Sequence, residues 1–190
     1  MSLLANKDNY IFEANQLYWQ RKERGPISQL ESRLWKEAIG AVHGGIIIGR
    51  QGDPYLLRAY LLPERTDDSS MPGAYLHYFV RGDSDPNPHN HPWNTGSSLI
   101  LTGGYTEKRL TTDKGRFEVR TFWPGMHNQI QHDTYHMVEL LKPEEGCWTL
   151  FTAGPRRGPS NGYDWGFFDM ETKRHIPWKE YGSTADQEAT

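Results

Sequence analysis

The sequence is poor in cysteine, in net charge and in long apolar runs, and each shortage argues against a class of protein. Cys147 is the only cysteine in 190 residues, so no disulfide can form within the chain, which suits the reducing cytoplasm. The formal net charge of -3 provides no general field that would attract nucleic acid or an anionic membrane. No run approaches the roughly 18 apolar residues of a transmembrane helix. We therefore expect a cytoplasmic protein that binds neither nucleic acid nor membrane.

Several sequence motifs are also missing. The segment Met1–Leu4 has no basic region followed by an apolar stretch, so no signal peptide is predicted. The chain contains neither a G-x-S-x-G nucleophile motif nor a phosphate-binding loop. Cys147 precedes Trp148 in a predicted strand, where a buried thiol is expected rather than a nucleophile.

Turn-forming residues are abundant, with 19 glycines and 12 prolines, and this favours an all-β or β-rich fold. Short strands at regular spacing predict a sandwich or a small closed barrel. The predicted strands cover residues 46–48, 55–62, 74–80, 97–101, 105–110, 117–123, 134–141 and 147–153.

The N-terminal part of the chain is predicted to be helical. One helix covers residues 8–22, and a second starts after the N-cap Ser28, with Glu31 completing a capping box, and ends at Gly44–Gly45. We predict a helical segment at 1–45 that packs on the barrel, a barrel with an aromatic C-terminal extension at 46–181, and a frayed tail at 182–190.

Two histidines, His89 and His91, form an H-x-H pair. Side chains two apart in a strand point the same way, so both imidazoles can reach one metal ion. Pro92 follows and indicates the edge of a strand, where the mouth of a pocket would lie. Neutral imidazole is a ligand for iron, zinc, copper or nickel.

A third ligand is expected from the histidines that follow the Pro124–Gly125 turn, namely His127, His132 and His136. His136 is the strongest candidate because it lies on a predicted strand. His132 shares its parity, but the Asp133-Thr134 pair argues that the strand does not extend so far back.

Together these motifs resemble those of the cupin superfamily. The H-x-H pair, a strand and then Gly103 match the first cupin motif, while Pro124–Gly125 followed by His136 is similar to the second. We interpret Gly103–Gly104 as a tight hairpin. The resemblance covers residues 76–151 and implies a single jelly-roll barrel. More locally, the chain resembles uncharacterised bacterial and phage-like cupin proteins.

The chain departs from the cupin pattern at one position. Gly96 stands where cupins usually have a glutamate as a further metal ligand. Glu107 is the obvious substitute ligand, and the alternative is that Glu107 forms an ion pair with Lys108 or Arg109 on the surface. A site without Glu107 would hold the ion with three histidines.

The resemblance implies one divalent ion, with Fe(II) favoured and Zn, Ni, Mn or Cu as alternatives. It favours an enzyme, a non-haem metal-dependent dioxygenase or oxygenase that acts on a small organic substrate. Two alternatives remain open. One is a non-catalytic module that binds metal or a small molecule. The other is a metal-free isomerase resembling sugar epimerases, with His89 or His136 as base and Tyr105 as acid.

Other residues are candidates for the substrate pocket, and the chain could form a homodimer by analogy with other barrels. His77 alternates with Tyr75 and Phe79 on one strand face, and it is expected to be a packed core residue if it does not line the pocket. Tyr105 is a further candidate for the pocket. Arg156 could bind an anionic group of the substrate, since a guanidinium suits carboxylate or phosphate, or it could lie in a solvated loop. Arg81 and Arg109 are alternatives for the same role.

Overall fold

The computed structural model describes residues 7–49, 52–62, 71–113, 115–157 and 165–184. Within them, helices α1 (Lys7–Glu23) and α2 (Gln29–Ile39) precede a series of short strands, and helix α3 (Trp178–Thr184) follows. The strands are β1 (Gly44–Ile48), β2 (Pro54–Tyr60), β3 (Gly73–Phe79), β4 (Thr95–Thr102), β5 (Tyr105–Leu110), β6 (Phe117–Phe122), β7 (His127–Gln131), β8 (His136–Leu140), β9 (Cys147–Ala153), β10 (Gly166–Asp169) and β11 (Arg174–Pro177).

The strands form two facing antiparallel sheets. The first has the order β1-β2-β3-β9-β4-β7. The second has the order β6-β5-β8 and continues through single bridges from β8 to His89 and from His89 to β10, which pairs with β11. From β3 to β9 the chain crosses between the sheets at every connection except the one from β5 to β6, which gives eight strand positions in two layers of four. This is a double-sheet jelly roll, and the predicted β-rich jelly-roll fold is confirmed.

The Gly103–Gly104 pair is a corner between the two sheets, so the predicted tight hairpin is wrong. The strand before the pair, β4, belongs to the first sheet, and β5 after it belongs to the second. Both glycines have positive φ, 73° and 129°. A Cβ on Gly103 would lie 2.2 Å from the carbonyl oxygen of Gly146, so a side chain cannot fit where the chain crosses over.

The second helix begins as predicted but ends earlier. The Ser28 hydroxyl accepts a hydrogen bond from the Glu31 amide at 3.1 Å, which confirms the N-cap. The Glu31 carboxylate is buried and accepts a hydrogen bond from Arg21 at 3.0 Å. Gly44–Gly45 open β1 instead of ending the helix, because their amides pair with β2.

An aromatic core joins the helices to the outer face of the first sheet. Trp35 of α2 is 1% exposed and packs edge-on against Trp148 of β9, with ring centroids 4.9 Å apart. Its ring also lies 4.6 Å from that of Tyr78 on β3. The hydroxyl of Tyr10 in α1 donates to the carbonyl of Ala38 in α2 at 2.7 Å. Burial of these rings supplies most of the free energy that holds the helices on the barrel.

The aromatic C-terminal extension forms a strand pair and a short helix, which no sequence pattern predicted. Trp165 stacks on Trp178 at 5.4 Å, and Phe167 stacks on Tyr181 at 4.0 Å. The predicted frayed tail begins inside α3, and residues 185–190 lie outside the described residues, as does the aromatic Tyr163. None of the described helices has the length and apolar character needed to cross a membrane.

Replacing Trp35 with alanine should lower the free energy of unfolding by about 3–5 kcal/mol, because it opens a cavity at the contact between helix and sheet. Urea denaturation followed by circular dichroism measures the change. Trp19→Ala is the matched control, since Trp19 is 56% exposed and should cost no more than about 1 kcal/mol. Equal costs for the two variants would contradict the packing of the helices on the barrel.

Candidate metal centre

The H-x-H segment lies in the second sheet between β8 and β10. His89 donates its backbone N–H to the His136 carbonyl at 3.0 Å, and His136 donates in return at 2.9 Å. On the other side the Asn90 amide donates to Gly166 at 3.0 Å, and the buried Asn90 side chain accepts from the Gly166 amide at 2.8 Å. The segment is therefore fixed on both edges.

Three histidines converge from the H-x-H segment and from β8 beside it. Their ligand nitrogens, those of His89, His91 and His136, all lie within 4.8 Å of one another. The Nε2 atoms of His91 and His136 are 2.9 Å apart. Two nitrogens each about 2.0–2.1 Å from one ion and at right angles to each other would have about this separation. The donor set and its spacing therefore fit one divalent ion.

Burial favours the neutral form of the imidazoles, which is the form that binds metal. It lowers the pKa of His91 well below its usual value, and the charges of the neighbouring histidines and of Arg58 lower it further. Burial also lowers the pKa of His89. His89 and His91 therefore present lone pairs at neutral pH.

Glu107 lies behind His136 and not beside the three ligand nitrogens. Its carboxylate, which is fully buried, is 2.5 Å from Nδ1 of His136, the ring nitrogen opposite Nε2. Asn128 donates to the same carboxylate at 3.0 Å, and Arg109 donates to it at 2.8 Å. Glu107 thus contacts the far side of a ligand histidine, whereas a direct ligand would lie beside the three nitrogens. Its ion pair with Arg109 lies inside the protein and not at the surface.

The Glu107 carboxylate keeps its charge although it is buried. Burial alone would raise its pKa, but the hydrogen bonds from His136 and Asn128 and the charge of Arg109 outweigh it and lower the pKa to about 2. An ionised acceptor at Nδ1 makes that nitrogen carry the proton, so the lone pair of His136 is at Nε2, facing His91.

The backbone at Gly96 explains why no carboxylate is found there. A Cβ at this position would lie 2.8 Å from Cζ of Phe151 and 3.0 Å from Cγ1 of Ile130. Both neighbours line the central cavity, so any side chain at 96 would displace them.

A cavity of about 480 Å³ opens beside the three histidines, between the sheets. The sequence-predicted pocket residues His77, Tyr105 and Arg156 all line it. His77 is stacked between Tyr75 and Phe151, with ring centroids at 5.6 and 5.3 Å. The Tyr105 hydroxyl accepts a hydrogen bond from Asn128 at 3.0 Å, and burial raises its pKa.

Sequence reasoning missed Arg58, which lines the same cavity from β2. Its Nε donates to Nε2 of His77 at 3.0 Å. The available sequence signal was a single arginine inside the apolar run 55–62. Residues two apart in a strand share a face, and Leu56 and Tyr60, on either side of Arg58, also line the cavity.

The remaining candidates lie outside the histidine cluster or have other partners. His127 is exposed on β7, and His132 donates its amide to the Asn94 carbonyl without joining the cluster. Arg81 forms an ion pair with Asp53 at 2.6 Å. Cys147 is fully buried as predicted, and burial raises its pKa to about 12.

Gly96→Ala should destabilise the protein by about 1–3 kcal/mol, because its methyl group overpacks against Phe151 and Ile130. Gly115→Ala is the matched control: Gly115 is exposed, its nearest contact is at 3.6 Å, and a change within about 0.5 kcal/mol is expected. Thermal unfolding of both variants measures the difference. A Gly96→Ala variant as stable as the control would show that the position has room for a side chain.

Comparisons with known proteins find structural likeness alone, since no family model and no curated protein matches the chain. KdgF from Halomonas sp. is 24% identical over 55% of this chain and 84% of its own, with a TM-score of 0.40. The Cnp3 cupin domain of Schizosaccharomyces pombe is 16% identical over 53% and 64%, with a TM-score of 0.40. Hydroxypropylphosphonic acid epoxidase from S. wedmorenis is 14% identical over 57% and 55%, with a TM-score of 0.41. Cupin-fold proteins are thus among the structures that this chain is similar to. The assignment of a jelly roll rests on the strand order of this chain.

Proposed function

We propose that the protein is a metal-dependent oxygenase that acts on a small organic substrate, with His89, His91 and His136 holding one Fe(II) ion. The observation that carries the proposal is the convergence of three imidazoles, one buried and two half-buried, on the wall of a cavity of about 480 Å³. Cavities of roughly 300–1,000 Å³ suit small molecules.

The donor set favours a catalytic site over a structural one. A structural metal site is normally closed by four protein ligands, whereas three leave coordination positions for other molecules. Imidazole suits Fe(II) and also Zn, Ni and Cu, and metal analysis of the purified protein distinguishes these ions. Fe(II), when bound, would supply the redox chemistry that a reaction with molecular oxygen requires.

The residues around the cluster have separate roles in this proposal. Glu107 holds the proton on Nδ1 of His136 and so keeps Nε2 available to the ion. Trp93 stacks on His91 at 4.8 Å and restricts its ring. Phe151 and Tyr75 contribute apolar walls that exclude water from the reacting groups.

A metal-free isomerase is the second candidate, and one observation favours it. Tyr105 lines the same cavity as His89 and His136, so an acid and a base could both reach one substrate. Burial raises the pKa of Tyr105, and the hydroxyl therefore keeps its proton at neutral pH. Metal dependence separates this candidate from the first.

Purified protein loaded anaerobically with Fe(II) should hold close to one ion per chain, and His136→Ala and His89→Ala should each lose most of it. Metal analysis after gel filtration measures the content. His127→Ala is the matched control, because His127 is an exposed histidine outside the cluster and its loss should leave the metal content unchanged.

Activity distinguishes the functions once metal content is known. Oxygen uptake with a panel of small organic substrates, lost in His136→Ala, supports the oxygenase. Bound metal without turnover of any substrate favours a binding module. Wild-type protein that binds no metal would contradict the proposal and favour the isomerase.

Glu107→Gln should weaken metal binding about 10–100-fold, which is the usual effect of removing a carboxylate that orients a ligand histidine. A neutral amide can no longer fix the proton on Nδ1 with the same strength. Competition with a chromophoric chelator measures the affinity, with Glu118→Gln as control, since Glu118 is exposed and pairs with Arg120. Unchanged affinity in Glu107→Gln would remove Glu107 from the account of the site.

A further inference from the structure

Arg58 stands out among the arginines because it faces the central cavity from the middle of a strand. It lies on β2 directly opposite His77 on β3, and both side chains point between the sheets. Its guanidinium lies over the Tyr75 ring, 5.1 Å from the centroid. Burial lowers the pKa of Arg58, and the nearby tyrosines partly offset that effect. The group nevertheless stays charged, because arginine keeps its proton in proteins.

The charge of Arg58 has no acidic partner among the residues that the structure describes. Three other buried or half-buried arginines have one: Arg21 pairs with Glu31, Arg81 with Asp53 and Arg109 with Glu107. Arg58 instead donates its Nε proton to the neutral His77 at 3.0 Å, and its guanidinium is also hydrogen-bonded to the side chain of Tyr60. Burial of a cation without a counter-charge is costly unless an anion completes the site.

His77 is neutral, and its hydrogen bond to Nε of Arg58 orients the guanidinium. Burial lowers the pKa of His77 well below its usual value, and the charge of Arg58 lowers it further. Its Nε2 is therefore an acceptor, and the stacked rings of Tyr75 and Phe151 hold the imidazole in place. Nε is committed to His77 and one further donor to Tyr60, so the remaining N–H groups of the guanidinium are the part that can meet a ligand.

The same aromatic stack links Arg58 to the histidine cluster. Phe151 contacts Trp93 at 5.1 Å, and Trp93 stacks on His91 at 4.8 Å. The charge of Arg58 is near enough to contribute to the low pKa of His91. The cation and the three imidazoles therefore face one apolar-walled space.

We infer that the cavity takes a small monocarboxylic acid with an apolar body, whose carboxylate binds Arg58 while another part of the molecule reaches the three histidines. This inference rests on the proposed function for the role of the metal, but not for the role of Arg58. One guanidinium balances one carboxylate, and its planar donors match the two carboxylate oxygens. A phosphate group would carry about two negative charges, so Arg58 could balance it only with a second cation such as Arg156, which also lines the cavity.

The test is calorimetric titration of zinc-loaded protein, since zinc prevents turnover with oxygen. The probes are benzoate and phenylacetate, each beside its neutral amide, and inorganic phosphate. Wild type should bind at least one acid about tenfold more tightly than its amide, and Arg58→Met should abolish that preference, as expected for a hydrogen-bonded charge. Arg120→Met is the matched control, because Arg120 lies in an exposed pair on β6 and should leave the preference intact.

The outcomes separate the inference from the proposed function. Acids that bind no more tightly than their amides, or a preference that survives in Arg58→Met, would overturn the inference, and so would phosphate binding more tightly than both acids. If wild type fails to bind zinc but still prefers an acid through Arg58, the inference stands and the metal proposal fails. If Arg58→Met does not fold, as judged by thermal unfolding, Arg58→Gln takes its place in the same comparison of acid with amide.

Discussion

The candidate site depends on one pair of backbone hydrogen bonds, those that join His89 to His136 at 3.0 and 2.9 Å. The two residues are far apart in sequence, and this reciprocal pairing places their side chains next to each other on one face of the second sheet. His91 shares that face because it is two residues from His89. The pairing with β10 on the other edge of the segment prevents it from moving away. The geometry of the three nitrogens is therefore set by the sheet and not by a flexible loop.

A second layer of contacts decides how the histidines are protonated. Glu107 is charged and buried, and it is held so by Asn128, Arg109 and Nδ1 of His136. Its place in the network explains how a chain with Gly96 at the usual glutamate position can still place a carboxylate at the site. The carboxylate supports a ligand and leaves the cavity side of the cluster to the three imidazoles. On the opposite wall, Arg58 contributes a cation, so the cavity has two distinct polar ends joined by aromatic walls.

The sequence predicted the elements whose signals are local. The Ser28 N-cap, most of the strands and the H-x-H pair follow from short patterns of side chains, and the structure has them near their predicted bounds. It could not predict what depends on pairing between distant segments. The Gly103–Gly104 corner looks like a hairpin until the partners of its two strands are known. Strand β7 and the β10–β11 pair contain too little alternation to be recognised, and the environment of Glu107 arises from three different strands.

A crystal structure of the metal-loaded protein, with anomalous data at the metal edge, would show directly whether the three histidines hold the ion. We expect one ion about 2.0–2.1 Å from a ring nitrogen of each of His89, His91 and His136, as is usual for imidazole ligands. Glu107 should remain hydrogen-bonded to Nδ1 of His136, outside the coordination shell. An ion bound elsewhere, or a Glu107 oxygen coordinated to it, would contradict the account.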